Sequence, residues 1–274
     1  MLIFRRVAFW VFLALGLLLA RGYWNATRDP IVRTAYVKVA DWPTGAPPVR
    51  MLLLSDIHVS GPEMPPARMA EIARKLNALK PDLILIAGDL VSTKRLATHI
   101  YTTAEVVAPL RALHAPLGVV VTLGNHDHWY DEAGFRRALP EAGLTLLANQ
   151  AVKRGPLVIG GVDDDFTGHA DIQATIAAMD AFDGPRILLT HSPDIVPALP
   201  IRVAAVLAGH THCSQIQWPW GKPLVYSTRY GDRFNCGFKR DRGQTVIVSA
   251  GLGTSVIWLR YGAPPDVWLV TLGP

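Results

Sequence analysis

The chain has 274 residues, of which 50% are hydrophobic and 18% are charged. This length allows one large domain or two small ones with a buried core, and the composition excludes a long disordered chain. The two cysteines, Cys213 and Cys236, cannot build a disulfide framework or a cysteine-rich zinc site. A single bridge between them is open if the domain is exported.

The net charge of +5 is concentrated near the N-terminus. Residues 1–50 contain seven basic and two acidic side chains, whereas residues 51–274 contain 20 of each. A nucleic-acid-binding domain usually carries its basic excess on the folded body, so we expect no nucleic-acid partner. The basic residues instead flank an apolar segment, where they either attract anionic lipid headgroups or only orient the segment.

That apolar segment, Val7–Ala20, is an uncharged run of 14 residues. As a helix it spans about 21 Å, short of a roughly 30 Å hydrocarbon core unless flanking apolar residues extend it. It is typical of a signal anchor or of a cleaved signal peptide. Because Ala20-Arg21-Gly22 is only a poor cleavage site, we favour an uncleaved anchor over residues 1–30, in the inner (cytoplasmic) membrane. Basic residues lie on both sides of the run, so the side of the membrane is open.

Residues 31–274 alternate apolar runs with helical patterns. One helix is predicted behind two prolines, where apolar residues recur at helical spacing: Met69, Ile72, Leu76 and Leu79. Strands are predicted at Thr34–Val39, Met51–Leu54, Leu83–Ala87, Gly118–Leu123, Leu157–Ile159, Arg186–Thr190, Ala204–Leu207, Thr245–Val248 and Val267–Thr271. This alternation predicts a layered α/β core with a β-rich last third.

Five of the apolar runs end in side chains that bind metals. These side chains are Asp56 and His58, Asp89, Asn125 and His126, His191, and His210 and His212. A single histidine after a strand is more often a structural residue than a ligand, but five such groups in order favour a shared site. In an α/β sheet, residues just past the strand ends gather at one edge, so we expect these groups to converge.

The set combines carboxylates, an amide and imidazoles, without thiolates. Such a mixture suits Mn²⁺, Fe or Zn²⁺ better than Ca²⁺, and Mn²⁺ is our first expectation. The absence of thiolates argues against a structural zinc site. There are enough ligands for two divalent metal ions, with one carboxylate to bridge them.

The same residues lie in motifs that resemble the five signature blocks of the calcineurin-like metallophosphoesterases. The blocks are Asp56-Ile57-His58, Gly88-Asp89, Gly124-Asn125-His126-Asp127, His191 and Gly209-His210-Thr211-His212. The resemblance extends from about residue 49 to the C-terminus. It implies an α/β fold, a four-layer αββα sandwich with the metal site at the sheet edge, here behind an N-terminal apolar anchor helix.

The resemblance also implies a role for each residue. Asp56, His58, Asp89 and His212 would bind one metal, and Asp89, Asn125, His191 and His210 the other, with Asp89 as the bridge. His126 would lie unligated beside the substrate phosphate, where it either donates a proton to the leaving oxygen or stabilises charge. Asp127 either orients His126 or caps the loop.

Three further features resemble a membrane-anchored bacterial phosphodiesterase subgroup: the N-terminal segment, the loop 161–164 and the segment 251–255. Cys213 and Ser214 stand where that subgroup commonly has two glycines. The implied activity is hydrolysis of a phosphodiester or pyrophosphate bond at the membrane by the domain 31–274. A lipid-linked nucleotide, UDP-2,3-diacylglucosamine of lipid A synthesis, is one candidate substrate.

Two other functions compete with this interpretation. One is a general phosphodiesterase or phosphatase of the cell envelope that acts on soluble or wall-linked phosphate. The other is a non-catalytic interaction protein on the same fold, which the complete ligand set disfavours.

A loop rich in tryptophan follows the last ligand motif by six residues, at Trp218-Pro219-Trp220. The prolines and glycine around it indicate a loop rather than a core strand. Two tryptophans near the site either contact lipid headgroups or pack beneath the loop as a small core.

Overall fold

The helices and strands follow the alternation predicted for residues 31–274. The structure is a computed structural model and describes residues 1–274, apart from the side chain of Leu2. The helices are α1 (Leu2–Thr27), α2 (Pro66–Asn77), α3 (Thr103–Val107), α4 (Asn125–Glu141) and α5 (Ile172–Asp180), with 3₁₀ turns at Ala108–Ala112, Pro193–Ala198, His212–Ser214 and Gly231–Arg233. The strands are β1 (Ile31–Lys38), β2 (Val49–Ser55), β3 (Ser60–Gly61), β4 (Leu83–Ala87), β5 (His99–Ile100), β6 (Val119–Thr122), β7 (Thr145–Leu146), β8 (Gln150–Arg154), β9 (Leu157–Gly161), β10 (Arg186–Leu189), β11 (Ala205–Ala208), β12 (Gly237–Asp241), β13 (Gln244–Val248) and β14 (Asp266–Gly273).

Two six-stranded sheets form the centre of the domain. The first has the order β1-β14-β2-β4-β6-β7, in which β2, β4, β6 and β7 run parallel and β14 is antiparallel to β2. The second has the order β12-β13-β11-β10-β9-β8, with a parallel centre and antiparallel edge strands. The parallel strands of each sheet therefore end at one common edge.

Side chains of the central strands alternate between two apolar layers. Leu83 and Leu85 of β4 pack between the sheets, whereas Ile84 and Ile86 pack against α2 and α4 on the outside. Helix α5 covers the outer face of the second sheet, where Met179 is buried. Both faces of each central strand are buried, which explains their unbroken apolar runs. The result is the four-layer αββα sandwich that was predicted.

Helix α1 lies outside this sandwich. Its stretch Ile3–Thr27 is long and apolar enough to cross a membrane by length and composition, and its most apolar window is not buried by the protein. The C-terminal end of the helix touches the domain, where the Arg260 N–H donates to the Gly22 carbonyl over 3.0 Å and the Tyr261 hydroxyl donates to the Leu18 carbonyl. The chain thus has the N-terminal apolar helix expected from its sequence.

The two cysteines form a disulfide, a pairing that the sequence left open. Cys213 lies in the 3₁₀ turn His212–Ser214, and Cys236 precedes β12. The bond closes a segment with a sequence separation of 23 residues, which contains the Trp218–Trp220 loop.

Candidate functional site

The predicted metal-binding residues lie just beyond the strand ends of both sheets. Asp56 follows β2, Asp89 follows β4, Asn125 follows β6, His191 follows β10 and His210 follows β11. All are buried except His210, which is partly buried. The two parallel strand systems therefore bring these side chains to one place.

Four of the side chains form a first group around two facing imidazoles. The Nε2 atoms of His58 and His212 lie 3.0 Å apart. Oδ1 of Asp56 lies 3.5 Å from Nε2 of His212, and Oδ2 of Asp89 lies 3.4 Å from Nε2 of His58. Four donor atoms of the predicted set thus face a common point.

The second group shares Asp89 with the first. Oδ2 of Asp89 lies 3.3 Å from Nε2 of His191. The same nitrogen of His191 lies 3.1 Å from Oδ1 of Asn125 and 3.1 Å from Nδ1 of His210. The structure therefore brings all seven predicted ligands into two groups, with one carboxylate oxygen between them.

The ring orientation of two histidines is set by backbone carbonyls. Nδ1 of His58 lies 3.2 Å from the carbonyl oxygen of Val91, and Nδ1 of His191 lies 2.8 Å from that of Ala87. A ring that donates its Nδ1 proton to a carbonyl leaves Nε2 free as a metal ligand. Both Nε2 atoms face the common site.

Five of the predicted ligands adopt the left-handed backbone conformation, which side chains other than glycine seldom do. Their φ values range from 47° to 67°, at Asp56, His58, Asp89, His210 and His212. Backbone of this kind costs about 1–3 kcal/mol per residue and concentrates at functional sites. The fold maintains it here at the residues that the motifs single out.

Burial and neighbouring charges shift the pKa values of the predicted ligands. Burial raises the pKa of Asp56 to about 7. Burial also holds the pKa of His58 and of His212 well below their usual range, so both rings are neutral with lone pairs available. Burial alone would raise the pKa of Asp89, but the nearby positive charge of His191 lowers it well below its usual value. The neutral imidazoles of His58 and His212, which face the carboxylates of Asp56 and Asp89, form a donor set suited to divalent metals.

Two glycines allow the backbone to approach these ligands closely. A β-carbon at Gly124 would lie 2.6 Å from the backbone nitrogen of Asp89. A β-carbon at Gly209 would lie 2.5 Å from the β-carbon of Ser55, directly before Asp56. No side chain fits at either place without moving the ligand loops.

Thr93 holds the ring of His126. The Thr93 backbone N–H donates to Nδ1 over 3.2 Å, and Oγ1 lies 2.6 Å from the same nitrogen. Because Nδ1 accepts this hydrogen bond, the neutral ring carries its proton on Nε2. Burial lowers the pKa of His126, which favours that neutral ring. A ligand-type atom of His126 also lies within 4.8 Å of those of His58 and Asp89.

Backbone N–H groups donate to both carboxylate oxygens of Asp127. Its Oδ1 accepts from the N–H groups of Leu90 (2.8 Å) and Val91 (3.2 Å), and its Oδ2 accepts from Gly124 (2.9 Å). Among the described residues, its carboxylate makes no hydrogen bond to the His126 ring. Of the two roles considered for Asp127, the contacts match the loop cap, and Thr93 rather than Asp127 holds the histidine ring.

Arg260 lies fully buried behind the first group, and no sequence motif indicates it. Its guanidinium donates to the carbonyls of Ala250 (2.7 Å), Ala263 (2.9 Å) and Gly253 (3.1 Å). Its Nη2 also lies 3.2 Å from Nδ1 of His212. Burial lowers the pKa of Arg260 to about 10, so the group is still charged at neutral pH. Arg260 thus places a fixed positive charge against a predicted ligand.

A cleft of about 1190 Å³ opens over the two groups. Its floor includes Asp89, Asn125, His126, His210 and His212. Its rim carries exposed apolar side chains, namely Leu96, Trp129, Phe166, Tyr226 and Val256. Lys94 in the wall is buried and paired with Glu63. The arrangement suits a ligand with a charged centre and an apolar part.

His128 belongs to a separate cluster outside the cleft. Its Nε2 lies 2.8 Å from Oδ1 of Asp163, and its Nδ1 lies 3.1 Å from Oε2 of Glu132. The ring stacks on His169 with centroids 4.2 Å apart. The cluster links α4, which begins at Asn125, to the loop that follows β9.

Comparisons with known proteins find similarity to metallophosphoesterases. The family model of calcineurin-like phosphoesterases matches residues 49–214. The uncharacterized metallophosphoesterase YkuE of Bacillus subtilis is 29% identical over 95% of this chain and 93% of its own length. An uncharacterized metallophosphoesterase of Aquifex aeolicus is 31% identical over 82% of this chain and 85% of its own length. A transmembrane protein with a metallophosphoesterase domain from Danio rerio is 29% identical over 92% of this chain, which covers 59% of that protein.

Proposed function

The chain belongs to the calcineurin-like phosphoesterase family and is a metal-dependent phosphoesterase, and we propose that it uses two metals to hydrolyse phosphodiester or pyrophosphate bonds at a membrane. One observation carries the two-metal assignment. Oδ2 of Asp89 lies within 3.4 Å of His58 in the first group and 3.3 Å of His191 in the second. A carboxylate shared by two groups of ligands is what a bridged pair of cations requires.

The proposed ligands follow these two groups. Asp56, His58, Asp89 and His212 would hold one cation, and Asp89, Asn125, His191 and His210 the other. Mn²⁺ is proposed first, before Fe and Zn²⁺, because the set is rich in oxygen and imidazole and has no thiolate. When bound, two such cations would supply Lewis-acid charge and would make water acidic enough to yield hydroxide at neutral pH.

The protein's own groups would act on the leaving group and on the geometry. The neutral ring of His126 carries its proton on Nε2, where it can donate a hydrogen bond to the departing oxygen, whereas full proton transfer would use the cationic ring. Its backbone N–H donates to Oδ1 of Asp89 over 2.9 Å and so keeps the carboxylate in place. Asp127 would act indirectly, by holding together the two loops that carry Asp89 and His126.

We place residues 1–30 in the membrane as an anchor and residues 31–274 as the catalytic domain beside it. The exposed apolar helix α1 supports this division. The proposed location is the inner (cytoplasmic) membrane. The Cys213–Cys236 disulfide supports an oxidising compartment, and hence the outer side of that membrane, for the catalytic domain.

The proposed substrate is a membrane-resident phosphodiester or pyrophosphate. The apolar rim of the cleft supports a substrate with an apolar part, and UDP-2,3-diacylglucosamine is the specific candidate that the resemblance implies. The disulfide favours a second candidate function, a cell-envelope phosphodiesterase acting on soluble or wall-linked phosphate, because disulfides persist outside the reducing cytoplasm.

A substrate panel tests these proposals. Purified full-length protein in detergent, loaded with Mn²⁺, would be assayed on p-nitrophenyl phosphate, bis(p-nitrophenyl) phosphate and UDP-2,3-diacylglucosamine, with Asp89→Ala as the inactive control. We expect metal-dependent hydrolysis of the diester and of the lipid-linked pyrophosphate. Hydrolysis of the soluble diester alone would overturn the lipid-linked substrate in favour of the envelope phosphodiesterase. No hydrolysis of any compound by fully loaded protein would overturn both.

A further inference from the structure

Trp218 and Trp220 lie at the tip of a short hairpin within the segment that the disulfide closes. The Trp218 N–H donates to the Lys222 carbonyl over 2.8 Å, and the Gly221 N–H donates to the Trp218 carbonyl over 2.8 Å, so the backbone turns back tightly. The two indole rings stack in parallel with centroids 5.2 Å apart and are 48% and 67% exposed. The packed alternative predicted from the sequence is therefore wrong, since both rings are exposed rather than buried in a small core.

The base of this hairpin lies against the docked end of α1. The Gln217 N–H donates to the Tyr261 carbonyl over 2.9 Å, and the Tyr261 hydroxyl donates to the Leu18 carbonyl of the helix. The neighbouring Arg260 N–H donates to the Gly22 carbonyl over 3.0 Å. Tyr261 thus contacts both elements, which places the tryptophan hairpin and the apolar helix on the same side of the domain.

The contact lies at the level where α1 leaves its apolar run. The run Val7–Ala20 ends beside Leu18, and Arg21 follows it. Trp24 is 51% exposed, with its ring 4.9 Å from the guanidinium of Arg21 and 5.3 Å from that of Arg28. Tryptophan beside basic side chains is typical of the lipid headgroup region, so a bilayer spanned by α1 would have the hairpin base at headgroup depth.

We propose that the hairpin Trp218–Lys222 is a second membrane-contact element, which inserts its stacked rings into the headgroup region of the bilayer that α1 enters. The proposal rests on the proposed membrane anchoring. Exposed indoles suit this region because each ring has an apolar body and one N–H donor. Lys222 adds a positive charge suited to anionic lipids.

Two points of attachment would fix the tilt of the catalytic domain. Ser255 and Val256 line the cleft, and they lie on the same loop as Tyr261, which contacts both attachment points. The cleft mouth would therefore be held beside the lipid surface, where a membrane-resident phosphoester reaches it without leaving the bilayer. The hairpin would thus determine access to the site and not its chemistry.

Quenching of tryptophan emission by brominated lipid tests the proposal. Full-length protein would be reconstituted in phosphatidylcholine–phosphatidylglycerol vesicles, with and without phosphatidylcholine brominated on the upper part of its acyl chains. The difference in emission between the wild type and Trp218→Phe/Trp220→Phe isolates the pair while retaining aromatic rings. We expect brominated lipid to quench at least about half of this difference emission, as for tryptophan at headgroup depth.

A buried tryptophan remote from α1 provides the matched control. Trp42 is 9% exposed and follows the end of β1 away from the helix, so the emission lost in Trp42→Phe should not respond to brominated lipid. If acrylamide quenches the emission of Trp218 and Trp220 but brominated lipid does not, the hairpin lies in water and the proposal is overturned. If neither quencher reduces this emission and two copies of the protein can be cross-linked, the hairpin contacts a second copy and the proposal is overturned. The readout needs no catalysis, so it is independent of whether the proposed hydrolase activity is correct.

Discussion

The backbone N–H of His126 donates to Oδ1 of Asp89 over 2.9 Å. The other oxygen of the same carboxylate faces Nε2 of His58 and of His191. Asp89 therefore uses one oxygen to bind the chain and the other to face the predicted ligands. The residue proposed to meet the substrate is thereby positioned by the carboxylate proposed to bridge the metals, and substitutions can separate the two roles.

Replacing Asp89 by alanine should release metal from both groups. The other carboxylate of the site, Asp56, is itself a proposed ligand of the first group and accepts from the His210 N–H over 3.0 Å, so it would not take the place of Asp89. We expect metal content by elemental analysis to fall and hydrolysis of bis(p-nitrophenyl) phosphate to drop by more than about 100-fold. Asp41→Ala, at an exposed site, is the control. Full metal content and activity in Asp89→Ala would rule out the two-metal assignment.

Replacing His126 by glutamine should slow turnover and leave metal content unchanged. If the ring donates a proton, we expect a loss of roughly 10²–10⁴-fold for substrates with poor leaving groups and a smaller loss for nitrophenolate. Thr93→Val removes Oγ1 but keeps the backbone N–H bonded to the ring, so its loss should be smaller. Equal losses for good and poor leaving groups would contradict proton donation, and loss of metal would show that His126 is a ligand.

The central strands and the positions of the candidate ligands were predictable, because burial on both faces of a strand makes both of them visible in the sequence. Residues 83–87 are buried on both faces, so they form an unbroken apolar run, and a polar side chain at the end of such a run is conspicuous. The edge strands β8 and β12 are partly exposed and contain charged residues, such as Lys153 and Lys239. They have no apolar run, and neither was predicted.

Arg260 and Thr93 were beyond sequence reasoning for a different reason. Arg260 is separated from His212 by 48 residues, and Thr93 is separated from His126 by 33. An isolated arginine in a loop is typical of a surface residue, and only the fold shows that this one is buried against carbonyls. The sequence also left the pairing of the two cysteines undecided, because their spacing along the chain does not determine whether they meet in the fold.

His128 should make stability depend on pH. Burial alone would lower its pKa, but the hydrogen bonds to Asp163 and Glu132 and their charges raise it. A raised pKa in the folded state gives stabilisation that is fully present below the unfolded value of 6.5 and lost as pH rises through the folded value. We therefore expect the free energy of unfolding to fall as pH rises from 6.5 through the folded pKa of His128. Urea denaturation in detergent at a series of pH values measures it. His128→Gln should remove this part of the pH dependence, whereas the exposed His114→Gln should not.

Reducing the disulfide should loosen one wall of the cleft. The segment it closes contains Tyr226 and Arg229, which line the cleft, and Arg229 pairs with Asp194 over 3.1 Å. Loss of the bond should lower the free energy of unfolding by about 2–4 kcal/mol. Limited proteolysis should then cut between residues 214 and 235. Cys213→Ser/Cys236→Ser should match the reduced wild type and be insensitive to reductant. Equal unfolding curves with and without reductant would contradict this role.

Helix α1 should undock when Gly22 is enlarged. A β-carbon at Gly22 would lie 2.5 Å from the Tyr261 hydroxyl and 2.6 Å from its ring atom Cζ, so a side chain there must displace Tyr261 from the Leu18 carbonyl. In Gly22→Leu we expect faster hydrogen exchange in the segment 256–262, because the Arg260 amide loses its acceptor at residue 22. Gly16→Leu makes the same change about 1.7 turns earlier on the helix, where a β-carbon meets nothing within 4 Å, and exchange should stay slow. Equal protection in the two variants would show that the domain does not depend on this contact to hold the helix.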